Sequence, residues 1–154
     1  MTTRDPTRKV VASNRRARRD FEIIDSYECG IVLLGSEVKS LRASQVQLKD
    51  AYAEMTDGEL WLENMHISPY SFARGGGHQP ERPRKLLLHK RELDRLIGMV
   101  NERGLTLIPL SVYFTRGLAK VELALVRGRR QYDKRHKLRE RDQRREIDRA
   151  RSRR

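Results

Sequence analysis

The sequence predicts a mainly β protein, a small antiparallel barrel with one or two packed helices, followed by a basic C-terminal tail. Two pairs of apolar runs are each joined by a short turn that ends in glycine, which is the pattern of a β-hairpin. A Thr-Asp-Gly turn joins 52–55 to 59–64, and a Thr-Arg-Gly turn joins 105–114 to 119–126. A third observation is that the excess positive charge lies at the two ends of the chain, outside these strands.

Further strand signals come from shorter patterns. Phe21, Ile23 and Tyr27 alternate loosely with polar residues, and Gly30 then leads into the apolar run IVLL. Pro109 lies inside one of the long apolar runs. Because proline donates no hydrogen bond to a strand ladder, it predicts a sheet edge or a bulge at that point.

Two helices are predicted to pack against the strands. In residues 90–103 the apolar side chains follow an i, i+3, i+4, i+7 spacing, and Gly104 stands where a C-terminal cap belongs. The apolar residues of this helix are Leu93, Leu96, Ile97 and Val100. A shorter helix is predicted at 36–45, with Ser36 as its N-terminal cap and Glu37 in its first turn. A small barrel with such helices is typical of the oligonucleotide-binding (OB) type of fold.

The charge distribution divides the chain into three parts. Lys and Arg outnumber Asp and Glu by 34 to 21, which gives a net charge of +13. Residues 1–19 carry +6, residues 127–154 carry +9, and the part between them carries −2. We therefore predict a basic N-terminal arm at 1–19, an RNA-binding barrel at 20–127 and a basic C-terminal tail at 128–154. Two basic segments on a near-neutral body favour a polyanionic partner.

The composition favours nucleic acid over a membrane as that polyanion. The large apolar residues of the C-terminal tail are Tyr132, Leu138 and Ile147, too few for the apolar face of a membrane-lying helix. No apolar run approaches the roughly 20 residues that span a bilayer. The single cysteine, Cys29, permits no internal disulfide, and the first residues lack the apolar segment of a secretory signal. We expect a cytoplasmic protein.

Catalytic patterns are weak in this sequence, so we predict a binding protein without cofactor or metal. The four histidines are widely spaced and have no partner at metal-ligand spacing. A less favoured alternative is a magnesium-dependent nuclease built from Glu28, Asp50 and Glu54. The glycine-rich loop at 72–83 lacks the Gly-Lys-Ser/Thr ending of a phosphate-binding loop, and we interpret it as a mobile surface connection.

Several stretches of the chain resemble the SmpB family of tmRNA-binding proteins, the bacterial factors of trans-translation. These stretches are NRRARRDFEI (14–23), GSEVKSLRAS (35–44), LKDAYAE (48–54), NMHISPY (64–70), RPRKLLLHKRELDRLIG (82–98) and YDKR (132–135). The resemblance implies an OB-type barrel that binds the tRNA-like domain of tmRNA. It also implies that elongation factor Tu helps to deliver the complex to stalled ribosomes, where the incomplete protein is tagged for degradation.

The resemblance further implies which residues meet tmRNA. By similarity, Glu28, Leu87 and His89 lie on the surface that contacts the RNA. A carboxylate accepts hydrogen bonds from base amines, and leucine and imidazole side chains pack on unstacked bases. Candidate phosphate contacts around that surface are Lys39, Arg42, Arg84 and Lys85. Similar candidates from the N-terminal arm are Asn14, Arg16 and Arg18.

The tail is the second functional part that the resemblance implies. By similarity, Gly128 is the hinge at the end of the barrel, and the tail enters the decoding centre and the empty mRNA channel of the small ribosomal subunit. The residues that approach the decoding centre are Tyr132, Asp133, Lys134 and Arg135. With so few apolar residues the tail is predicted to be disordered alone and helical when bound to ribosomal RNA. A structural ribosomal protein, or another RNA-binding module, is the alternative that the basic segments also suggest.

Overall fold

A computed structural model describes residues 8–70, 77–101 and 105–128. The nine strands of these residues are β1 (Lys9–Ser13), β2 (Phe21–Ile31), β3 (Val46–Gln47), β4 (Tyr52–Thr56), β5 (Glu59–Glu63), β6 (His66–Ile67), β7 (Arg84–Leu87), β8 (Leu105–Thr115) and β9 (Leu118–Gly128). The three helices are α1 (Arg15–Asp20), α2 (Gly35–Arg42) and α3 (Lys90–Val100). None of these helices is long and apolar enough to cross a membrane.

Six strands close into a barrel. The order is β8, β4, β5, β7, β2 and β9, and a further pairing of β9 with β8 closes the ring. Every neighbouring pair is antiparallel, and β1 adds to β8 outside the ring. The mainly β barrel predicted from the sequence is therefore confirmed.

Both predicted hairpins are present, and the turn residues explain them. Asp57 and Gly58 have φ angles of 52° and 77° between β4 and β5, and Arg116 and Gly117 have 50° and 78° between β8 and β9. Two successive positive φ angles are what a two-residue hairpin turn requires, and glycine adopts the second of them without strain.

The predicted irregularity at Pro109 is a bulge. The pairing of β8 with β9 shifts register between Pro109 and Ser111. Proline has no N–H, so the strand pairing already lacks a hydrogen bond at this position. A shift in register there therefore destabilises the sheet only slightly further.

The main core fills the interior of the barrel. Val121, Leu123 and Leu125 on β9 are fully buried and belong to this core, as the alternation along that strand predicts. Leu96 of α3 is also fully buried in it. Burial of one such leucine side chain contributes about 1.5–3 kcal/mol, so α3 is held to the barrel by its apolar face.

A second, smaller core lies on the outer face of the sheet. Its buried members are Ala17, Ile108, Leu110, Ala124 and Val126, and Phe21 packs against them. Because Ala17 belongs to α1, this helix covers one half of the outer face of β8 and β9. Most of the segment predicted as the N-terminal arm, 1–19, forms β1 and α1 and packs on the barrel, and residues 1–7 lie outside the described residues.

The starting point and cap of α2 differ from the prediction. The helix begins at Gly35, and the carboxylate of Glu37 accepts a 2.8 Å hydrogen bond from the Leu34 N–H, so Ser36 is not the cap. The predicted helix at 90–103 is confirmed over Lys90–Val100. Its proposed cap, Gly104, lies outside the described residues.

Candidate RNA-binding surface

The outer face of β2, β9 and β8 has a polar half beside the apolar half that α1 covers. Glu28 on β2 is exposed there. The hydroxyl of Tyr113 on β8 donates a 2.5 Å hydrogen bond to Glu28 Oε2. Among the described residues nothing donates to Oε1, so the protein holds one oxygen of this exposed carboxylate and leaves the other without a donor.

Leu87 lies on the same face. In the register of β2 with β7 it is opposite Gly30, two residues from Glu28. A Cβ atom added at Gly30 would lie 3.3 Å from Leu87 Cβ, so the leucine side chain, 49% exposed, lies directly across the glycine. His89 follows two residues later as the N-cap of α3, exposed and without a capping hydrogen bond from its side chain. The structure thus brings Glu28 and Leu87 together, with His89 next along the chain, and their contact with RNA stays a prediction.

Three of the predicted phosphate contacts are accessible cations. Lys39 and Arg42 are exposed on α2, where Lys39 Nζ lies 5.4 Å from the ring centroid of Tyr70 and Arg42 Cζ lies 5.1 Å from that of Phe114. Lys85 is half-buried on β7, and its Nζ lies 3.2 Å from a carboxylate oxygen of Glu59. Contacts of this kind orient a cation without removing its charge from solvent.

Arg84 is not a phosphate contact in this structure, and that prediction is wrong. Its side chain is fully buried, with Nε donating to Glu37 Oε2. The other guanidinium nitrogens donate to the backbone carbonyls of Met65, at 2.5 Å, and Pro80, at 3.0 Å. Alternation along β7 turns Arg84 inward and Lys85 outward, and the buried charge is tolerated because it is paired and hydrogen-bonded.

The partner carboxylate of Glu37 is held by several donors. Besides Arg84 and the Leu34 N–H, Arg82 Nη2 donates a 2.6 Å hydrogen bond to Glu37 Oε1. Burial raises the pKa of Glu37, but the hydrogen bonds from Arg82, the Leu34 backbone and Arg84 outweigh it and lower the pKa. The carboxylate is therefore ionised at neutral pH, and its role is to stabilise the fold.

Asn14 is a second correction. It is 8% exposed, and its Oδ1 accepts from the Ala17 N–H at 3.3 Å, which caps α1. Its Nδ2 donates to the carbonyls of Leu48 and Pro109, each at 3.4 Å. Both polar atoms of its side chain are used inside the protein, so the side chain is not available to RNA. The exposed cations that α1 presents are Arg15, Arg16, Arg18 and Arg19, which include two of the predicted contacts.

The end of the glycine-rich loop is packed into the domain. His78 is 7% exposed, with Nε2 at 2.8 Å from the Ile67 carbonyl and Nδ1 at 2.9 Å from Ser36 Oγ. Nε2–H donates to the carbonyl, so Nδ1 accepts from the serine hydroxyl. In the loop at 72–83, interpreted as a mobile surface connection, His78 is therefore packed into the domain, whereas Gln79, Glu81 and Pro83 are exposed. Residues 71–76 lie outside the described residues.

A cavity of about 690 Å³ opens where the barrel ends. Residues that line it include Arg16, Phe21, Lys49, Tyr52 and Gly128. Gly128 is the last residue of β9, so the tail starts at this cavity. The other predicted tail residues, Tyr132, Asp133, Lys134 and Arg135, lie outside the described residues.

The alternative of a magnesium-dependent nuclease finds no support in the geometry. Within 8–70, 77–101 and 105–128 no group of three or more His, Cys, Asp or Glu side chains is placed to hold a metal ion. Glu28, Asp50 and Glu54 are therefore not brought together.

Sequence reasoning did not single out three residues of this surface. Tyr113 and Gly30 were assigned only to strands, and Arg8 only to the basic arm. A buried tyrosine usually finds a partner for its hydroxyl, and that rule was the available signal for Tyr113. The 3.7 Å distance from Arg8 Cζ to the centroid of the Tyr113 ring depends on β1, which the sequence did not predict.

The closed antiparallel barrel with its packed helices is of the OB type, and α1 and α2 present exposed cations on its surface. The family model described as SmpB protein matches residues 11–153. The chain therefore belongs to the SmpB family.

Individual relatives are similar in sequence to this chain over most of their length. The SsrA-binding protein of Acidothermus cellulolyticus is 58% identical over 147 residues, which cover 96% of this chain and 92% of the relative. That of Desulforudis audaxviator is 56% identical over 142 residues, which cover 92% and 93%. A solved chain described as "tmRNA-SmpB: a journey to the center of the bacterial ribosome" is 55% identical with a TM-score of 0.64, covering 76% of this chain and 82% of that one.

Proposed function

We propose that this protein binds the tRNA-like domain of tmRNA and brings it to stalled ribosomes for trans-translation. The observation that carries the proposal is the surface on which Glu28 and Leu87 lie exposed together, in a member of the SmpB family. The free oxygen of Glu28 accepts a hydrogen bond from a base amino group, and Leu87 and His89 pack on bases that are not stacked in a helix. This surface supplies the specific part of the binding.

A cationic frame supplies the remainder of the affinity. Its members are the exposed or half-exposed cations Arg16, Arg18, Lys39, Arg42 and Lys85. Phosphate contacts of this kind fix the position of a folded RNA without reading its sequence. They also make binding depend on salt, because each neutralised phosphate releases counterions.

The C-terminal tail acts on the ribosome in this proposal. Residues 129–154 contain thirteen basic and five acidic side chains, a net charge of +8. Such a segment suits the RNA-lined mRNA channel, with Tyr132 stacking on a base of the decoding centre beside Asp133, Lys134 and Arg135. Elongation factor Tu is the partner that delivers the complex with tmRNA, and the place of action is the cytoplasm.

Alanine substitution tests the barrel surface. Glu28→Ala or His89→Ala is expected to weaken binding of a transcribed tRNA-like domain by about 1–3 kcal/mol, the range for removal of a good base contact or stacking partner. Titration of fluorescently labelled RNA at fixed salt measures this. Glu54→Ala is the matched control, because Glu54 is an exposed glutamate on another strand of the barrel. Wild-type affinity in the Glu28/His89 double variant would remove this surface from the proposal.

A further inference from the structure

Tyr113 joins the interior of the domain to the candidate RNA surface. Its side chain is 1% exposed, yet its hydroxyl reaches the exposed carboxylate of Glu28 across β9. Burial and the neighbouring Glu28 carboxylate raise the pKa of Tyr113, so the phenol keeps its proton and is a permanent donor. The Tyr113 hydroxyl therefore fixes Oε2 of Glu28, whereas exposed side chains are usually flexible.

Arg8 fixes Tyr113 in turn. Its guanidinium carbon lies 3.7 Å from the centroid of the Tyr113 ring, the distance of a stacked cation–π contact. The same guanidinium donates to Ser111 Oγ at 3.2 Å and to Glu122 Oε2 at 3.3 Å, and the Ser111 hydroxyl donates to Glu122 Oε2 at 3.1 Å. The tyrosine ring is thus clamped between its strand and a guanidinium that is anchored at two further points.

The register explains why this network is needed. Glu28 and Glu122 are directly opposite each other in the pairing of β2 with β9. Two like charges in that position repel each other and destabilise a sheet. Arg8 neutralises Glu122, and the Tyr113 hydroxyl satisfies Glu28 without neutralising it. The carboxylate that faces solvent therefore keeps its negative charge and a defined orientation.

We propose that Tyr113 is a positioning residue for RNA recognition, whose hydroxyl holds Glu28 Oε2 so that Oε1 is presented to the RNA in one orientation, with Arg8 holding the Tyr113 ring. This inference rests on the proposed function of Glu28. Preorganisation of this kind raises affinity because the side chain is ordered before the ligand arrives. Neither Tyr113 nor Arg8 needs to touch the RNA for this effect.

A double-mutant cycle in the full chain tests the inference. Tyr113→Phe removes only the hydroxyl, and we expect it to raise the Kd for a transcribed tRNA-like domain of tmRNA roughly tenfold. In the Glu28→Ala background the same change is expected to have no further effect. Tyr27→Phe is the matched control, since the Tyr27 hydroxyl also donates to a carboxylate, that of Asp25, at 3.0 Å on the same strand. We expect wild-type affinity for this control.

A second, milder variant tests the same network in case Tyr113→Phe reduces the amount of folded protein. Arg8→Lys keeps the charge but loses the planar stack, and we expect a smaller rise in Kd that also vanishes when Glu28 is alanine. Wild-type or tighter binding by Tyr113→Phe, or an unchanged effect of Tyr113→Phe in the Glu28→Ala background, would overturn the inference. If Glu28→Ala alone binds like wild type, Glu28 is not part of the RNA surface and the inference fails with it, whereas only wild-type binding by the Glu28/His89 double variant removes the whole surface. Weak binding by Glu28→Ala with normal binding by Tyr113→Phe overturns the inference alone.

Discussion

At the scale of single residues, Arg84 and Lys85 are adjacent cations with opposite environments. Arg84 is fully buried against Glu37, whereas Lys85 pairs with Glu59 at the surface, where the two side chains are 38% and 47% exposed. An exposed ion pair contributes about 0–1 kcal/mol. Removal of one partner from a buried pair costs about 3–5 kcal/mol, because the other charge is left without compensation. The two pairs therefore have very different weights in folding.

Glu37→Gln is expected to lower the free energy of unfolding by about 3–5 kcal/mol at neutral pH, because it leaves Arg84 charged and buried. Glu59→Gln, which breaks the exposed pair, is the control and is expected to cost about 1 kcal/mol or less. Urea unfolding followed by circular dichroism measures both. Equal effects of the two substitutions would mean that other groups compensate the buried charge of Arg84 when Glu37 is neutral.

The pair of Glu37 and Arg84 also predicts how the free energy of unfolding depends on pH. The pKa of Glu37 is lower in the folded protein than its ordinary value of 4.5, so its stabilising effect is complete above about pH 4.5 and is lost as the pH falls toward the folded pKa. The difference in stability between wild type and Glu37→Gln should therefore stay constant from pH 7 down to about pH 4.5 and shrink as the pH falls further. A difference that stays constant below pH 4.5 as well would contradict the assignment of Glu37 as the ionised partner.

At the scale of elements, local chemistry decides what the sequence reveals. The two hairpins and α3 were predicted because each carries its own signal, a glycine turn or a four-residue apolar spacing. β1 and α1 were not predicted, since their sequences, KVVAS and RRARRD, are short and carry no signal of their own. Contacts with other elements stabilise them: β1 pairs with β8, and α1 packs on the outer core. The inward side chain of Arg84 did have a local signal, since it alternates with the exposed Leu87 along β7. Its partner Glu37 lies on α2, and only the fold brings the two residues together.

At Gly30 of β2 the neighbouring strand β7 comes close, because Leu87 lies directly opposite the glycine. A methyl group at Gly30 would lie 3.3 Å from Leu87 Cβ, a tight contact that shifts the leucine side chain by a few tenths of an ångström. Gly30→Ala is therefore expected to weaken tmRNA binding by about 1 kcal/mol, roughly fivefold, with little change in stability. Gly35→Ala is the control, because no atom lies within 4 Å of the added Cβ atom. If both variants bind like wild type, the position of Leu87 over Gly30 does not matter for RNA.

At the scale of the whole molecule, charge is divided between the barrel and the tail. The triple variant Lys39→Ala, Arg42→Ala and Lys85→Ala removes three proposed phosphate contacts, and each removal should reduce the slope of log K against log salt by roughly 0.7–0.9. Glu28→Ala should weaken binding at every salt concentration with the slope unchanged, since Glu28 is proposed to bind a base and not a phosphate. Filter binding over a series of salt concentrations separates the two. A triple variant with the wild-type slope would exclude these cations from phosphate binding.

Truncation after Gly128 separates the two halves of the proposed mechanism. It removes a net charge of +8 and leaves Glu28, Leu87 and His89, together with all strands of the barrel, in place. Specific binding of the tRNA-like domain should survive, with a weaker salt-sensitive part, because the barrel surface is intact. Tagging of nascent chains on ribosomes stalled in a reconstituted translation system should be abolished, because nothing enters the decoding centre. A full chain with Tyr132 to Arg135 replaced by alanine tests the same step without removing most of the tail charge. If either variant supported tagging at the wild-type rate, residues 132–135 would have no role in the decoding centre, and the tail would contribute only its charge.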